Sequence, residues 1–262
     1  MASSALRVAR NTGRDRADAV GETVRIEHLV VTFGGLRALD NVTTEFAGDQ
    51  ITGLIGPNGS GKSTLVNALS GQLRPHGGRI WFGAGDTTGA RPDRLVRRGL
   101  ARTYQIPRMP PQLTVAEVIS VPLMYGRGRD HLLPGLGDAA TIAQFCGLGG
   151  LIGKTCAQLS VTDLRRLEIA RAIACGPSVL LLDEVMAGLS HEDSITVTAL
   201  VRQIHAAGVA VVIVEHVMRI ITTLCDRVVV LNNGRLLASG VPQAVLADPT
   251  VREAYLGKGF AA

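Results

Sequence analysis

GPNGSGKST, residues 56–64, follows the short apolar run ITGLI at 51–55 and precedes LVNAL, whose apolar spacing is helical. The stretch has the form G-x-x-x-x-G-K-[ST] of a phosphate-binding loop, and its place between a strand and a helix is the context that confirms such a loop. Gly56, Gly59 and Gly61 let backbone N–H groups converge on phosphate oxygens with no Cβ in the way, while Pro57, Asn58 and Ser60 complete the turn. Lys62 is positioned to reach β and γ phosphates, Ser63 to hold Mg²⁺, and Thr64 closes the motif. A glycine-rich turn with no ligand is the competing reading. Three glycines, a lysine and a Ser-Thr pair in register behind a strand make it the weaker one.

Outward from the loop, VLLLDE at 179–184 is an apolar strand ending in two carboxylates. In a parallel sheet those acids belong at the C-terminal edge, where the phosphate loop also sits. Asp183 suits Mg²⁺ binding through water, and Glu184 suits polarising an attacking water as general base. Either acid alone would pass for a solvated strand end. The pair, downstream of such a loop, would not.

Residues 24–33 and 38–46 read as strands around the turn Gly34-Gly35, and 179–182, 209–214 and 228–231 as short strands buried on both faces. Helical patterns at 190–207 and 217–224 alternate with them, which gives an α/β core. From 106 to 175 helical pattern predominates, interrupted at 126–137, and this is expected to be a helical insertion between two halves of the core. No internal repeat stands out.

Composition narrows the class. At 262 residues and 46% hydrophobic, the chain can bury a full core, yet its longest apolar runs fall well short of the roughly 20 residues that span a bilayer. Residues 1–22 lack the apolar centre of a secretory signal and read as a flexible tail. Cys146, Cys156, Cys175 and Cys225 form no C-x-x-C pair, so neither zinc nor a disulfide framework is indicated, and reduced thiols are the simplest state. The net charge is +5, but aromatics make up only 3% and no basic cluster is interleaved with them, which disfavours a nucleic-acid groove.

With these motifs in this order, the chain resembles the nucleotide-binding subunit of an ATP-binding cassette (ABC) transporter over about residues 24–257. The resemblance implies a P-loop NTPase core with an antiparallel β subdomain and a helical insertion. One ABC ATPase domain would span 23–257, with core at about 23–105 and 176–257, helical subdomain at about 106–175, and tails at 1–22 and 258–262. It implies ATP and Mg²⁺ as ligands. Phe33 matches the aromatic that stacks on adenine, though a core aromatic would occupy the same strand position. Gln105, after Arg102-Thr103-Tyr104, matches a glutamine that contacts Mg²⁺ and links core to insertion, and otherwise reads as a surface amide. His216 matches a switch histidine that holds water and Glu184 in line, and 187–190, AGLS, the segment that touches the opposite subunit. DEVMAGL, EHVM and REAYLG look like cassettes of branched-chain or hydrophobic amino acid importers, with amide and urea importers similar.

The stretch LSVTDLRRLEIARA at 159–172 falls where the family carries its signature, a turn and helix start that covers the γ-phosphate of the partner subunit. RRLEIARA fits closely and Ser160 is retained as a nucleotide contact. Thr162 and Asp163, however, replace a glycine and a usual glutamine. Read on residues alone, Ser160 and Asp163 have the spacing of a capping box. The functional expectation is an importer ATPase at the cytoplasmic face of the membrane. It would work with a second cassette, identical or homologous, two permease subunits and, indirectly, a substrate-binding protein, without nucleic acid. The altered signature supports the alternative of a degenerate cassette serving as an ATP-dependent clamp or regulatory subunit, with little hydrolysis at the site that uses its own signature.

Overall fold

The computed structural model describes residues 22–105, 109–128, 131 and 133–256. The expected tails at 1–22 and 258–262 lie outside the described residues except for Glu22, as do 106–108, 129–130 and 132 of the helical stretch. Along the chain, β1 (Val24–Phe33) and β2 (Leu36–Phe46) form a hairpin, β3 (Ile51–Ile55) leads into α1 (Lys62–Leu69), and β4 (Gly77–Phe82) and β5 (Gly85–Asp86) return beside β1. Helix α2 (Pro92–Arg98) and strand β6 (Leu100–Arg102) precede α3 (Val115–Tyr125), α4 (Ala139–Phe145) and α5 (Val161–Ile173). Then come β7 (Val179–Asp183), α6 (His191–Ala206), β8 (Ala210–Val214), α7 (Met218–Leu224), β9 (Arg227–Asn232), β10 (Arg235–Gly240), α8 (Pro242–Ala247) and α9 (Pro249–Leu256).

Among the described residues the strands make an antiparallel sheet, β2-β1-β4-β5, and a second sheet, β10-β9-β3-β8-β7-β6, parallel except for β10. Strand β2 begins earlier than expected because Leu36 pairs with Phe33 across Gly34 and Gly35, both at positive φ. Short or half-exposed strands such as β5, β6 and β10 carry no periodicity to announce them, and pairing with a neighbour creates them.

Strands β3, β7 and β8 are buried at every position because both faces of the parallel sheet are covered. Successive side chains alternate between two cores. Val179, Leu181, Val212, Val214, Val229 and Leu231 pack with α1 and the antiparallel sheet. Leu180, Leu182, Val211, Ile213, Val228 and Val230 pack with the helices on the other side. At about 1.5–3 kcal/mol for each fully buried aliphatic side chain, this two-faced burial is what sets the register.

Register then sets function. Leu54 pairs with Val214, Asp183 with Val214 and Arg102 with Leu181, so β3, β6, β7 and β8 end on one edge of the sheet. The segments that follow them carry the phosphate loop, Gln105, Glu184 and His216 respectively.

Candidate functional site

The phosphate loop needs glycine for steric reasons. A Cβ at Gly56 would run into the Leu231 carbonyl and stand 2.6 Å from the Ser60 hydroxyl, and one at Gly61 would stand 2.6 Å from the Ala38 carbonyl oxygen. Gly61 also caps α1 at φ 104, a left-handed conformation that costs glycine little. The Lys62 ammonium donates to the carbonyls of Gly56 (2.7 Å) and Pro57 (2.9 Å), so it is curled onto its own loop. Burial holds its pKa below the usual lysine value, partly offset by the carboxylates of Glu184 and Asp183. An ammonium satisfied only by neutral carbonyls beside two acids is poised to accept an anion.

The three expected Mg²⁺ contacts, Ser63, Gln105 and Asp183, line one cavity of about 570 Å³ together with Arg102, Tyr104, Asn67, Gln72 and Arg171. Their donors, a hydroxyl, an amide carbonyl and a carboxylate, are all hard oxygens and fit Mg²⁺ rather than a softer metal. Among the described residues no cluster of three His, Cys, Asp or Glu side chains exists that would cage a metal unaided.

The two acids differ in their partners. Asp183 accepts from Arg102 Nη2 at 2.8 Å in an ion pair that is nearly buried on both sides. Glu184 accepts from Gln105 Nε2 at 2.6 Å, and its backbone is held at φ 49. A non-glycine residue there costs of order 1–3 kcal/mol and persists only where its surroundings fix it. Its N–H donates to the Val214 carbonyl at 3.0 Å, which fixes it.

Phe33 is 51% exposed at the end of β1, so of its two readings the core aromatic is not the one the structure shows. Its face is open for stacking on a base. Phe33→Ala is expected to weaken ATP binding about tenfold, within the roughly 1–3 kcal/mol that an aromatic–base stack contributes. Titration with a fluorescent ATP analogue would check this, and Phe33→Tyr should restore affinity.

Helix α5 is anchored to the Gln105 segment. Arg165 donates to the Gln105 carbonyl at 2.8 Å, and the fully buried Glu168 accepts from the Tyr104 N–H at 2.6 Å. Burial raises the Glu168 pKa, opposed by that hydrogen bond and by Arg171 and Arg165. These contacts explain why RRLEIARA keeps the family pattern. The sequence signal for them is a glutamate set among apolar positions of a helix with arginines three residues to either side. At the start of α5 the expected capping box is only half formed. Ser160 Oγ accepts from the Asp163 N–H at 3.1 Å, but the Asp163 carboxylate accepts a hydrogen bond from the Ser160 hydroxyl at 2.6 Å instead of reaching back to the Ser160 N–H. The hydroxyl expected to face a nucleotide is spent within its own helix end.

His216 is exposed two residues beyond β8 and lines a cavity of about 360 Å³ with Met186, residues Ala187, Gly188 and Leu189 of the AGLS segment, His191 and Arg219. Among the described residues no hydrogen bond joins it to Glu184, although both follow strands that end at the same edge. Two links across this region are invisible to sequence reasoning. The buried Glu215 accepts from the Met186 N–H at 3.0 Å, and Arg219 contacts the His191 ring, Nη2 lying 3.2 Å from Nε2. Burial raises the Glu215 pKa.

Comparison with known proteins accords with this geometry. The ABC transporter family matches residues 39–187, and a family described as branched-chain amino acid ATP-binding cassette transporter matches 235–261. The high-affinity branched-chain amino acid transport ATP-binding protein LivG of Escherichia coli K12 is 33% identical over 248 residues, 89% of this chain and 97% of that protein. A probable LivG of Methanocaldococcus jannaschii is 31% identical over 252 residues, 90% and 98% of the two chains. A solved ATP-binding cassette of an ABC transporter in its ADP conformation superposes with a TM-score of 0.80 at 30% identity, covering 90% of this chain and 99% of that one. A phosphate loop, an acid pair and a glutamine gathered at one sheet edge, in a chain matched nearly end to end by such cassettes, make this protein a member of the ABC transporter family, one of its ATP-binding ATPase subunits.

Proposed function

We propose that the chain hydrolyses MgATP to drive uptake of branched-chain or other hydrophobic amino acids through separate permease subunits at the cytoplasmic face of the membrane. The observation that carries the reading is the gathering of Ser63, Gln105 and Asp183 on one cavity, with Gln105 bonded to Glu184, in a chain that matches transport ATP-binding proteins along nearly its whole length. Bound Mg²⁺ would neutralise developing charge on the phosphates. The chain's own part is to hold the triphosphate by the loop and Lys62, to orient the acids, and to take the water's proton at Glu184. The amino acid class rests on the names of the relatives and on the match at 235–261.

A partner surface is available for permeases. No helix among the described residues is long and apolar enough to cross a membrane. Met124 and Tyr125 on α3 are 73% and 76% exposed, and Tyr125 lines a cavity of about 300 Å³ between α3, α2 and the start of the Gln105 segment. Large apolar groups left open beside a nucleotide-sensing glutamine suit a membrane subunit that must feel the nucleotide state. The test is uptake of labelled leucine by proteoliposomes holding the chain with its permease and second cassette subunits. ATP hydrolysis that never couples to uptake of any amino acid, amide or urea would overturn the proposal.

The clamp alternative finds no support among the relatives, which are transport ATP-binding proteins. The altered signature instead points to unequal sites in a pair with a non-identical second cassette. An Asp163 carboxylate about 5 Å from a γ-phosphate oxygen would cost roughly 3 kcal/mol per charge pair at an effective dielectric of about 20. An acid at a helix start returns only about 0.3–1 kcal/mol. Arg166, 3.6 Å from Asp163, reduces that repulsion without removing it. Thr162→Gly with Asp163→Gln is expected to raise ATPase activity and ATP-driven closure of the complex by about fivefold, roughly 1 kcal/mol. Unchanged ATPase and closure would show the Val-Thr-Asp turn to be a harmless replacement.

A further inference from the structure

The geometry points to Arg102 as a resident counter-ion of Asp183 that admits the divalent cation only together with nucleotide. This rests on the reading of Asp183 as a cation ligand and goes beyond it. Arg102 is held from both sides. Nη2 donates to Asp183 Oδ2 at 2.8 Å, while Nη1 donates to Asn67 Oδ1 (2.7 Å), to Ser70 Oγ (2.9 Å) and, at 3.4 Å, to Gln72 Oε1. Asn67 lies in α1, the helix that starts from the phosphate loop, and Ser70 is its C-cap. The guanidinium also stacks 5.1 Å from the centroid of Tyr104. The side chains of Arg102 and Asp183 are only 9% and 10% exposed.

A guanidinium does not deprotonate in a protein, so its charge is permanent. With Arg102 in place the cavity by itself offers a cation one carboxylate already neutralised, a hydroxyl and an amide. Arg171, which lines the same cavity, adds further positive charge. Free Mg²⁺ is strongly hydrated and gives up water reluctantly, and such a site gives it little return. A triphosphate reverses the balance by bringing several negative charges of its own. Its cation then has phosphate oxygens to complete its shell, and Asp183 has a second oxygen, Oδ1, to offer while Oδ2 stays on the arginine. The pair therefore favours entry of MgATP over stepwise binding of cation and then nucleotide.

A purely structural ion pair predicts something different. Removing one partner of a buried pair leaves the other charge unpaired and destabilises the fold whatever the cation concentration. If Arg102 stands in for the cation, a divalent ion should repair the loss.

The experiment uses the full chain without nucleotide and Mn²⁺ as the probe, followed by electron paramagnetic resonance and by thermal melting. Wild type should bind free Mn²⁺ weakly, with a melting temperature insensitive to it. Arg102→Gln, which keeps hydrogen-bonding capacity but not charge, should bind free Mn²⁺ at least about tenfold more tightly and regain melting temperature as Mn²⁺ is added. Arg102→Lys should behave like wild type, and adding Asp183→Asn to Arg102→Gln should abolish the gain. If Arg102→Gln does not fold, Asn67→Ala with Ser70→Ala loosens the arginine from the α1 side and should give a smaller gain of the same sign. Destabilisation of the folded variants with no gain in Mn²⁺ affinity and no rescue would overturn the inference. Mn²⁺ with a non-hydrolysable ATP analogue on wild type and on Asp183→Asn separates the two readings. Loss of bound Mn²⁺ in Asp183→Asn upholds the cation site whatever Arg102 does, whereas identical binding by both proteins removes that site and the inference with it.

Discussion

Glu184→Gln is expected to slow steady-state ATP turnover by the assembled transporter at least about a hundredfold while leaving ATP affinity within about twofold, the scale of losing a general base. The structure separates this acid from its neighbour. Asp183 is engaged by a permanent cation, Arg102, which takes up its Oδ2. Glu184 is held through Oε2 by the neutral Gln105 amide, which leaves its other carboxylate oxygen for a water. Replacing it by glutamine preserves shape, and the new amide oxygen can still accept from Gln105 Nε2. The strained φ of 49 at this position, held by the Val214 carbonyl, is unaffected by an isosteric side chain. Single-turnover hydrolysis measured beside nucleotide binding would check the split. Turnover that barely changes in Glu184→Gln but collapses in His216→Ala would transfer the base role to the histidine.

Lys62→Ala should weaken ATP binding about tenfold to a hundredfold, the loss of a charge-assisted contact of about 1.5–3 kcal/mol. The ammonium donates to the Gly56 and Pro57 carbonyls, at 2.7 and 2.9 Å. Exchanging these neutral acceptors for phosphate oxygens strengthens both bonds, since hydrogen bonds between ionised partners are about twice as strong as neutral ones. The folded state loses little by the substitution, because the two carbonyls belong to a half-exposed loop that water can reach. Calorimetric titration with ATP and with adenosine is the check. The variant should lose affinity for ATP and keep whatever it has for the nucleoside. Equal ATP affinity in wild type and variant would remove Lys62 from the phosphate site.

Most of the site's membership was legible before any coordinates, because local chemistry announces it. A phosphate loop needs glycines at fixed offsets, a buried strand that ends in two acids is anomalous, and a histidine just past a β-branched run stands out. The α/β alternation was legible for the same reason, since strands 51–55, 179–183 and 210–214 are short runs dominated by apolar residues. Strands such as β5 and β6, two and three residues long, left no such trace.

What the sequence by itself determined, then, is which residues are the candidates for the chemistry and that they fall at strand ends. Only the tertiary structure decided how they are paired. Arg102 meets Asp183 across 81 residues and Gln105 meets Glu184 across 79. Both pairings follow from β6 lying parallel to β7 with Arg102 opposite Leu181. Glu168 reaches the Tyr104 N–H for a similar reason, because the buried face of α5 packs under that edge. Side-chain period reports which face a residue takes, but it holds no information about which distant residue shares that face. Strand order and register supply it, and they are set by the burial of both faces of the sheet at once.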